Sequence, residues 1–342
     1  MQNSELYAFV RDYYGRQVTK TADLIAGACC TEETAARFKD VLAVLPDEVV
    51  ARQYGCGSPL PDDGLNGLRV VDLGSGAGAD AFIAASLVGP TGQVIGVDMT
   101  EEQLAIARTH TPAALKALGL PTDVGLVEFQ ADYIERCADI TDGWADLVIS
   151  NCVINLSPRK DAVFETIVRV LKPGGELYFS DIVCDRRLPA SARDDQVMYS
   201  ECLTGADYEA DLYDAMERAG LRDVRVVSRT VLEDRIEGEA ATFFSVTLRA
   251  FKVDLDRRCE DYGQFATYRG GIAGSEVLWR LDSGHLFEAG RPSAVCRNTA
   301  RMLTETRLAK HFDVTQEIKH FGLFGCGPQA PVGAAEEGGP CC

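Results

Sequence analysis

Apolar and polar positions alternate between two periodicities through the middle of the chain. Short apolar runs typical of buried strands are separated, in most cases, by segments in which apolar residues recur with a helical period. The strands are predicted at LRVVDLG (68–74), GQVIGVDMT (92–100), VGLVEFQAD (124–132), ADLVISNC (145–152) and GELYFSDIVC (175–184). The helices are predicted at ADAFIAASLVG, TEEQLAIARTHTPAALKALG and RKDAVFETIVRVLK. This alternation of strands and helices predicts βαβ units and a parallel sheet.

The flanking segments have different patterns, and they divide the chain into four predicted units. EADLYDAMERAGL predicts an amphipathic helix, and the β-rich runs DVRVVSRTVL and TFFSVTLRAF are placed to close the far edge of the sheet. The units are a helical N-terminal segment over 1–65, the sheet domain over 66–250, a small α+β domain over 251–326, and a tail over 327–342 that ends in Cys341-Cys342. The tail is rich in Gly, Pro, Ala and Glu, and we expect it to be disordered.

Charge and composition exclude several classes of partner. The 342 residues carry a formal net charge of −18, so the chain lacks the basic face that a nucleic-acid binder needs. The N-terminus has no apolar signal region, and no apolar run reaches the roughly 18 residues of a membrane helix. We therefore expect a cytoplasmic protein, a monomer, with no nucleic acid and no membrane as partner.

The turn after the first strand carries the signature of a nucleoside cofactor. Gly74, Gly76 and Gly78 allow a tight turn against which a ligand can press, and Asp98 ends the next strand, where a carboxylate accepts ribose hydroxyls. The spacing is GxGxG, whereas dinucleotide sites use GxGxxG, and Asp72 just upstream suits a cationic ligand. These features favour S-adenosylmethionine over NAD.

A second motif supports that choice. LKPGGELYFSD, after the fourth strand, resembles the segment that follows a helix in class I methyltransferases. The expected fold is therefore α/β: a class I (Rossmann-like) methyltransferase sheet with an N-terminal helical extension and a small C-terminal α+β domain. In such a sheet, Asp132 and Tyr133 fall where class I enzymes contact adenine. Met99, Asn151 and Val153 are also expected to line the cofactor pocket, and Tyr13 and Tyr14 either lie over the site or pack in the core.

Cysteines are the unusual feature of the composition, with twelve in the chain. Cys152 ends the fourth strand, Cys56 lies between two glycines before the sheet, and Cys202 follows the fifth strand. These three thiols come from distant segments, and we expect them to converge near the cofactor, where thiolates would bind a soft, thiophilic element. The spacing does not support a structural zinc site, because no CxxC pair is present. The remaining internal cysteines are assigned structural or incidental roles: Cys137, Cys184, Cys259, Cys296 and Cys326.

Several motifs together resemble the arsenite S-adenosylmethionine methyltransferases over residues 6–325. They are VRDYYGRQV, LPDEVVARQYGCGSPLP, VVDLGSGAGAD, VIGVDMTEEQLAIAR, VISNCVINLSPRKDAVFETIVRVLKPGGELYFSDI and CEDYGQFATYRG. By this resemblance, Cys56, Cys152 and Cys202 are the cysteines that hold the arsenic substrate. A further N-terminal thiol of the family matches Cys30, or its neighbour Cys29. The tail pair Cys341-Cys342 would capture arsenic first or be dispensable.

The resemblance implies a reaction as well as a family. Arsenite or methylarsenite would bind to cysteine thiolates and receive methyl groups from S-adenosylmethionine, in arsenic detoxification. A disulfide closed by Cys30 would return electrons, and glutathione or thioredoxin would reopen it. Two alternatives stay open: a methyltransferase of an organic small molecule with incidental cysteines, and a non-catalytic, thiol-rich metalloid-binding protein.

Overall fold

The N-terminal segment is only partly helical. The structure is a computed structural model that describes residues 3–25, 37–61, 63–236 and 240–325. Helix α1 (Asn3–Asp12) continues into a π-helical turn (Tyr13–Gln17), and the short helices α2 (Lys39–Leu42) and α3 (Asp47–Val50) follow. From Ala51 to the first strand the described chain runs as turns and loops.

A single sheet of eight strands forms the centre of the molecule. Its strands are β1 (Arg69–Leu73), β2 (Gln93–Asp98), β3 (Val127–Ala131), β4 (Ala145–Asn151), β5 (Leu171–Cys184), β6 (Asp207–Tyr208), β7 (Arg225–Val231) and β8 (Phe243–Phe251). Their order is β3-β2-β1-β4-β5-β8-β7, and β6 pairs with β5. The first five strands run parallel, while β8 is antiparallel to both β5 and β7. The predicted α/β fold class is confirmed.

Helices cover both faces of this sheet, and each face has its own apolar core. They are α4 (Ala79–Val88), α5 (Glu101–Ala117), α6 (Lys160–Val170), α7 (Gln196–Ser200) and α8 (Glu209–Ala219). All seven residues of β4 are buried, which explains the consecutive apolar residues Leu147, Val148 and Ile149 at its centre. None of the helices in the described part of the chain is long and apolar enough to cross a bilayer.

The fifth strand begins earlier than its sequence pattern predicts. Leu171 already pairs with Ala145 at the start of β4, directly after α6, and the register shifts before Glu176 pairs with Leu147. The Pro-Gly-Gly segment between the two pairings therefore lies in an irregular part of the strand. The predicted strand, by contrast, begins only at Gly175, the last residue of this segment.

The C-terminal unit is built from short antiparallel strands and one helix. Its elements are β9 (Glu260–Asp261), β10 (Gln264–Tyr268), β11 (Leu278–Asp282), β12 (His285–Glu288), β13 (Pro292–Val295), α9 (Arg297–Thr304), β14 (Phe312–Val314) and β15 (Gly322–Leu323). Three small sheets result, with orders β13-β10-β14, β11-β12 and β15-β9. Aromatic rings pack around Trp279, including those of Tyr268, Phe287 and Phe312.

A buried network of ions joins the N-terminal segment, the sheet and the C-terminal unit. Arg249 on β8 lies 2.6 Å from a carboxylate oxygen of Asp63 and 2.6 Å from one of Glu176. Arg307 contacts the same two carboxylates. Burial alone would raise the pKa of Asp63, yet the two guanidinium groups hold it below its usual value. The four charges compensate one another, so removing one of them would leave an uncompensated buried charge.

Candidate active site

A cleft opens at the carboxyl ends of β1, β2 and β4, where open α/β sheets bind their ligands. It encloses about 960 Å³, part of it open to solvent. Nine of the ten residues predicted to bind the cofactor line this cleft: Asp72, Gly74, Gly76, Asp98, Met99, Asp132, Tyr133, Asn151 and Val153. The geometry therefore brings the glycine turn, the acidic end of β2 and the loop after β3 to one wall.

Gly78 is the exception among these ten residues, because it lies in the predicted tight turn but packs against its neighbours. It is not among the described residues that line the cleft. Its φ is +92°, and a Cβ at this position would lie 2.6 Å from the ring of Phe129. Gly78 is therefore needed for the left-handed start of α4 and for close packing on β3, and it offers no surface to a ligand.

Three carboxyl groups give the cleft an acidic wall, two of them buried (Asp72 and Asp80) and one half-buried (Asp98). Burial raises the pKa of Asp72 well above its ordinary value, and the neighbouring Asp80 and Asp98 raise it further. Burial also raises the pKa values of Asp80 and Asp98. Among the described residues, no hydrogen-bond partner meets Asp72 Oδ2, nor the buried oxygens of Ser75 and Gln103 in the same cleft. A ligand with positive charge and hydrogen-bonding groups fits this wall, and S-adenosylmethionine has both.

The loop after β3 is held in place by its own carboxylate. Asp132 accepts hydrogen bonds of 2.7 Å each from the backbone N–H groups of Tyr133 and Ala138 and from Nε of Arg136. The ring of Tyr133 meets that of Tyr7 edge-on, with 5.1 Å between the ring centroids. Asp132 thus positions the loop, while Tyr133 presents an aromatic ring to the cleft.

Three cysteines meet beside the cleft. Cys56 and Cys152, which are 96 residues apart, form a disulfide, with 5.9 Å between their Cα atoms. The Cys202 thiol donates a hydrogen bond of 2.8 Å to the carbonyl oxygen of Cys152. All three side chains are buried, and Cys152 lines the cleft itself. Cys29 and Cys30 lie outside the described residues, and the disulfide in the structure joins two of the cysteines expected to hold arsenic.

The loop that carries Cys56 is fastened to the end of β4 by Asn151. Its Oδ1 accepts a hydrogen bond of 3.1 Å from the Cys56 N–H, and its Nδ2 donates to the Gly57 carbonyl at 3.1 Å. The same Nδ2 donates to Asp80 at 3.0 Å. A Cβ at Gly57 would lie 2.6 Å from Ser180 Oγ, so the loop packs on β5 too closely for a larger residue. The glycines around Cys56 are explained by this close approach.

Two of the three cysteines have a backbone conformation that is rare for their residue type. The φ angles are +54° for Cys152 and +67° for Cys202, in the left-handed region that costs about 1–2 kcal/mol for a residue with a Cβ. The Cys152 N–H donates a hydrogen bond of 2.8 Å to the Ser180 carbonyl, which fixes the turn at the end of β4. Such backbone strain concentrates at functional sites.

The two tyrosines of the N-terminal segment hold the Cys202 loop. Tyr13 donates a hydrogen bond of 2.5 Å to Oε1 of the buried Glu201. Tyr14 donates a hydrogen bond of 2.6 Å to the Ser200 carbonyl, and its side chain lines the cleft. The sequence left open whether these tyrosines lie over the site or pack in the core. Tyr14 lies at the site, whereas Tyr13 packs in the core.

Comparison with known proteins agrees with this geometry. A model of the arsenite methyltransferase C-terminal domain matches residues 263–331, and a general methyltransferase domain matches residues 65–220. The chain is 44% identical to the arsenite methyltransferase of Aquipseudomonas alcaligenes over 95% of this chain and 96% of that one. The chain belongs to the arsenite methyltransferase family.

Two further members of the family are similar to this chain in sequence or structure. The human arsenite methyltransferase is 34% identical over 91% of this chain and 84% of its own. A crystal structure of an arsenic(III) S-adenosylmethionine methyltransferase from Chlamydomonas reinhardtii superposes with a TM-score of 0.80 at 42% identity. That match covers 86% of this chain and all of the algal chain. The family resemblance expected from the cysteine contexts is confirmed.

Two acidic residues of the arsenite methyltransferase site were missed by sequence reasoning. Asp80 lines the cleft, although in the sequence it is only an acidic residue in the first turn of a helix. Asp181 on β5 has a carboxylate oxygen within 4.8 Å of Sγ of both Cys56 and Cys152. Burial raises the pKa of Asp181 to about 6. The signal for Asp181 was its place in the run YFSDIVC, where an acidic residue interrupts an otherwise buried strand.

Proposed function

We propose that this protein transfers methyl groups from S-adenosylmethionine to trivalent arsenic held by the thiolates of Cys56, Cys152 and Cys202. The observation that carries the proposal is the meeting of three cysteines from three distant segments beside an acidic cleft. Membership of the arsenite methyltransferase family supports arsenite or methylarsenite as the substrate.

Binding of the substrate requires the reduced form of the site. Arsenous acid is neutral at pH 7, so the acidic protein does not repel it. Each arsenic–sulfur bond forms as one hydroxyl of arsenous acid leaves, taking one thiol proton with it as water. Because Cys56 and Cys152 are joined by a disulfide, two electrons and two protons must first open that bond. Two glutathione molecules or one dithiol thioredoxin supply them.

The cofactor and the thiols have separate tasks. S-adenosylmethionine supplies an electrophilic methyl group on a sulfonium. Asp72 and Asp98 hold the positively charged and ribose portions of the cofactor, while Tyr133 contacts its adenine. The three thiolates desolvate the arsenic and direct its lone pair toward the methyl-bearing end of the cleft. The contribution of the chain is therefore chiefly the positioning of two reactants.

Thiols also complete the electron count. Transfer of a methyl cation to the arsenic lone pair formally raises arsenic from the trivalent to the pentavalent state. Two arsenic-bound thiolates return two electrons to the arsenic when their two arsenic–sulfur bonds break and one sulfur–sulfur bond forms. Their protons left as water on binding, so the only proton released comes from the water molecule that then binds to the arsenic. The Cys56–Cys152 disulfide fits the product of such a step, and Cys30 is the further thiol that would exchange with it. This cycle suits a monomer in the cytoplasm, where glutathione and thioredoxin keep thiols reduced.

The experiment is a methylation assay with separation of arsenic species. The reduced protein is incubated with arsenite, S-adenosylmethionine and glutathione, and the products are separated by chromatography with elemental mass detection. Methylated arsenic is expected from the parent and not from Cys152→Ser or Cys202→Ser.

A matched control is Cys137→Ser. Cys137 is also buried, and burial raises the pKa of its thiol to about 12, so it does not act as a thiolate at neutral pH. This variant should retain activity. Methylation that survives in Cys152→Ser and Cys202→Ser would refute the assignment of the thiols, and a parent that binds the cofactor without methylating arsenic would favour an organic acceptor.

A further inference from the structure

A second group of soft ligands lies away from the cleft, where the sheet meets the C-terminal unit. Asp223, Cys259 and Cys296 place two sulfurs and one carboxylate oxygen within 4.8 Å of one another. They precede three different elements, namely the edge strand β7, strand β9 and helix α9. The methylation reaction proposed above uses none of them.

The sulfur of Cys296 is already prepared as a ligand. It is fully buried at the start of α9. There it accepts a hydrogen bond of 3.4 Å from the Thr299 N–H and lies 3.3 Å from Thr299 Oγ1. The Cys259 thiol is within hydrogen-bonding reach of this sulfur, so the two sulfurs face each other beside the Asp223 carboxylate. Cysteines bind soft metals as thiolates.

The charges around the cluster leave room for a cation. The guanidinium of Arg225 donates to Asp223 at 2.7 Å and to Asp282 at 3.2 Å. The imidazole of His285 also lies 2.8 Å from Asp282, so Asp282 has two partners while Asp223 faces the two sulfurs. A divalent ion bound to Asp223 and the two sulfurs would displace the thiol protons.

We propose that Asp223, Cys259 and Cys296 bind Zn²⁺, which then ties the C-terminal unit to the edge of the central sheet. Two thiolates and a carboxylate are ligands that zinc accepts, and water completes its fourfold coordination. Asp223 has φ +52°, a conformation that is uncommon outside glycine and that turns this residue at the sheet edge. The ligands come from segments far apart in sequence, so spacing alone gives no zinc motif.

The test measures zinc in the full-length, reduced protein without arsenic or S-adenosylmethionine. Protein stripped with a chelator is reloaded with Zn²⁺, and metal is counted by elemental mass spectrometry after gel filtration. One zinc per chain is expected for the parent, for Cys137→Ser and for the triple variant with serine at Cys56, Cys152 and Cys202. Since the triple variant keeps its zinc and loses methylation, the two proposals fail or succeed independently.

The ligand variants give the opposite result. Cys296→Ser and Cys259→Ser are expected to lose the zinc, and Asp223→Asn to bind it roughly 10- to 100-fold more weakly. Co²⁺ in place of Zn²⁺ should show thiolate charge-transfer absorption in the parent and not in Cys259→Ser. Cys259 is half-buried, so its serine variant should fold, and its melting temperature should no longer rise when zinc is added.

Two results would overturn the proposal. The first is zinc that stays bound to both Cys259→Ser and Cys296→Ser, because other residues would then hold it. The second is a parent that takes up no zinc, because the cluster would then not be a zinc site.

Discussion

Asp72→Asn is expected to weaken the binding of S-adenosylmethionine while making the protein more stable at neutral pH. The Asp72 side chain is 2% exposed, and its Oδ2 has no hydrogen-bond partner in the described part of the chain. Burial and two neighbouring carboxyl groups raise its pKa well above 3.8. A raised pKa means that the folded protein favours the neutral form, so stability falls as the pH rises through that pKa. Asparagine keeps the shape of the side chain and has no carboxyl group, so the protein no longer loses stability through ionisation at this position.

The same substitution should weaken the binding of S-adenosylmethionine. A hydrogen bond to a charged group contributes about 1.5–3 kcal/mol, which corresponds to a dissociation constant raised roughly 10- to 100-fold when the carboxylate is lost. A cationic ligand also favours the ionised carboxyl, so binding to the parent should release protons. Titration calorimetry in buffers of different ionisation enthalpy measures both quantities, and the proton release should be smaller in Asp72→Asn.

The control for this experiment is a carboxylate on the surface. Asp161 pairs with Arg218, and its side chain is 65% exposed, so Asp161→Asn should change neither binding nor proton release. An unchanged dissociation constant in Asp72→Asn would refute the assignment of the acidic wall to the cofactor. A variant that is both weaker in binding and less stable would indicate a general loss of structure instead.

Three further predictions concern the frame of the site. Asp63→Asn leaves two buried guanidinium groups short of a carboxylate, and urea unfolding should show a loss of about 3–5 kcal/mol. Asp181→Asn should gain stability relative to the parent as the pH rises from 3.8 to about 6, because burial raises the pKa of Asp181 to about 6; unfolding curves at several pH values measure this. Gly57→Ala would place a methyl 2.6 Å from Ser180 Oγ, and the methylation rate should fall roughly 10- to 100-fold. Gly64→Ala, whose methyl would meet only one atom at 4.0 Å, should keep the parent rate.

Each of these three predictions would be contradicted by a different result. If the free energy of unfolding of Asp63→Asn is lower than that of the parent by less than about 1 kcal/mol, its ion pairs contribute no more than exposed pairs do. Parallel stability profiles for the parent and Asp181→Asn would mean that this carboxyl titrates normally. Equal rates in the two glycine variants would show that the Cys56 loop is not held by its packing on β5.

Local patterns were enough to predict the sheet and most of the cofactor cleft. The central strands β1 and β4 are buried on both faces, so they are visible in the sequence as mostly apolar runs. The turn at Gly74 and Gly76 and the acidic end of β2 lie in order along the chain, which is why their convergence could be expected. Gly78 belongs to the same turn, but its spacing does not reveal that it also packs closely on Phe129.

Local sequence patterns could not predict the contacts between distant segments. The Cys56 loop reaches Cys152 because the Asn151 amide binds its backbone, and no local signal encodes that contact. Asp181 and Asp80 are acidic residues within ordinary elements, and only the folded structure brings them to the thiols and the cleft. Cys259 and Cys296 were assigned incidental roles for the same reason, since their proximity depends on how the C-terminal unit packs on the sheet.

The most direct test of the account is a crystal structure of the reduced protein with arsenite and S-adenosylhomocysteine, recorded at the arsenic absorption edge. The account predicts an anomalous peak beside the cleft, bonded to Sγ of Cys56, Cys152 and Cys202, with the nucleoside against Asp72 and Asp98. An arsenic peak elsewhere in the chain, with these three sulfurs reduced and unbound, would contradict it.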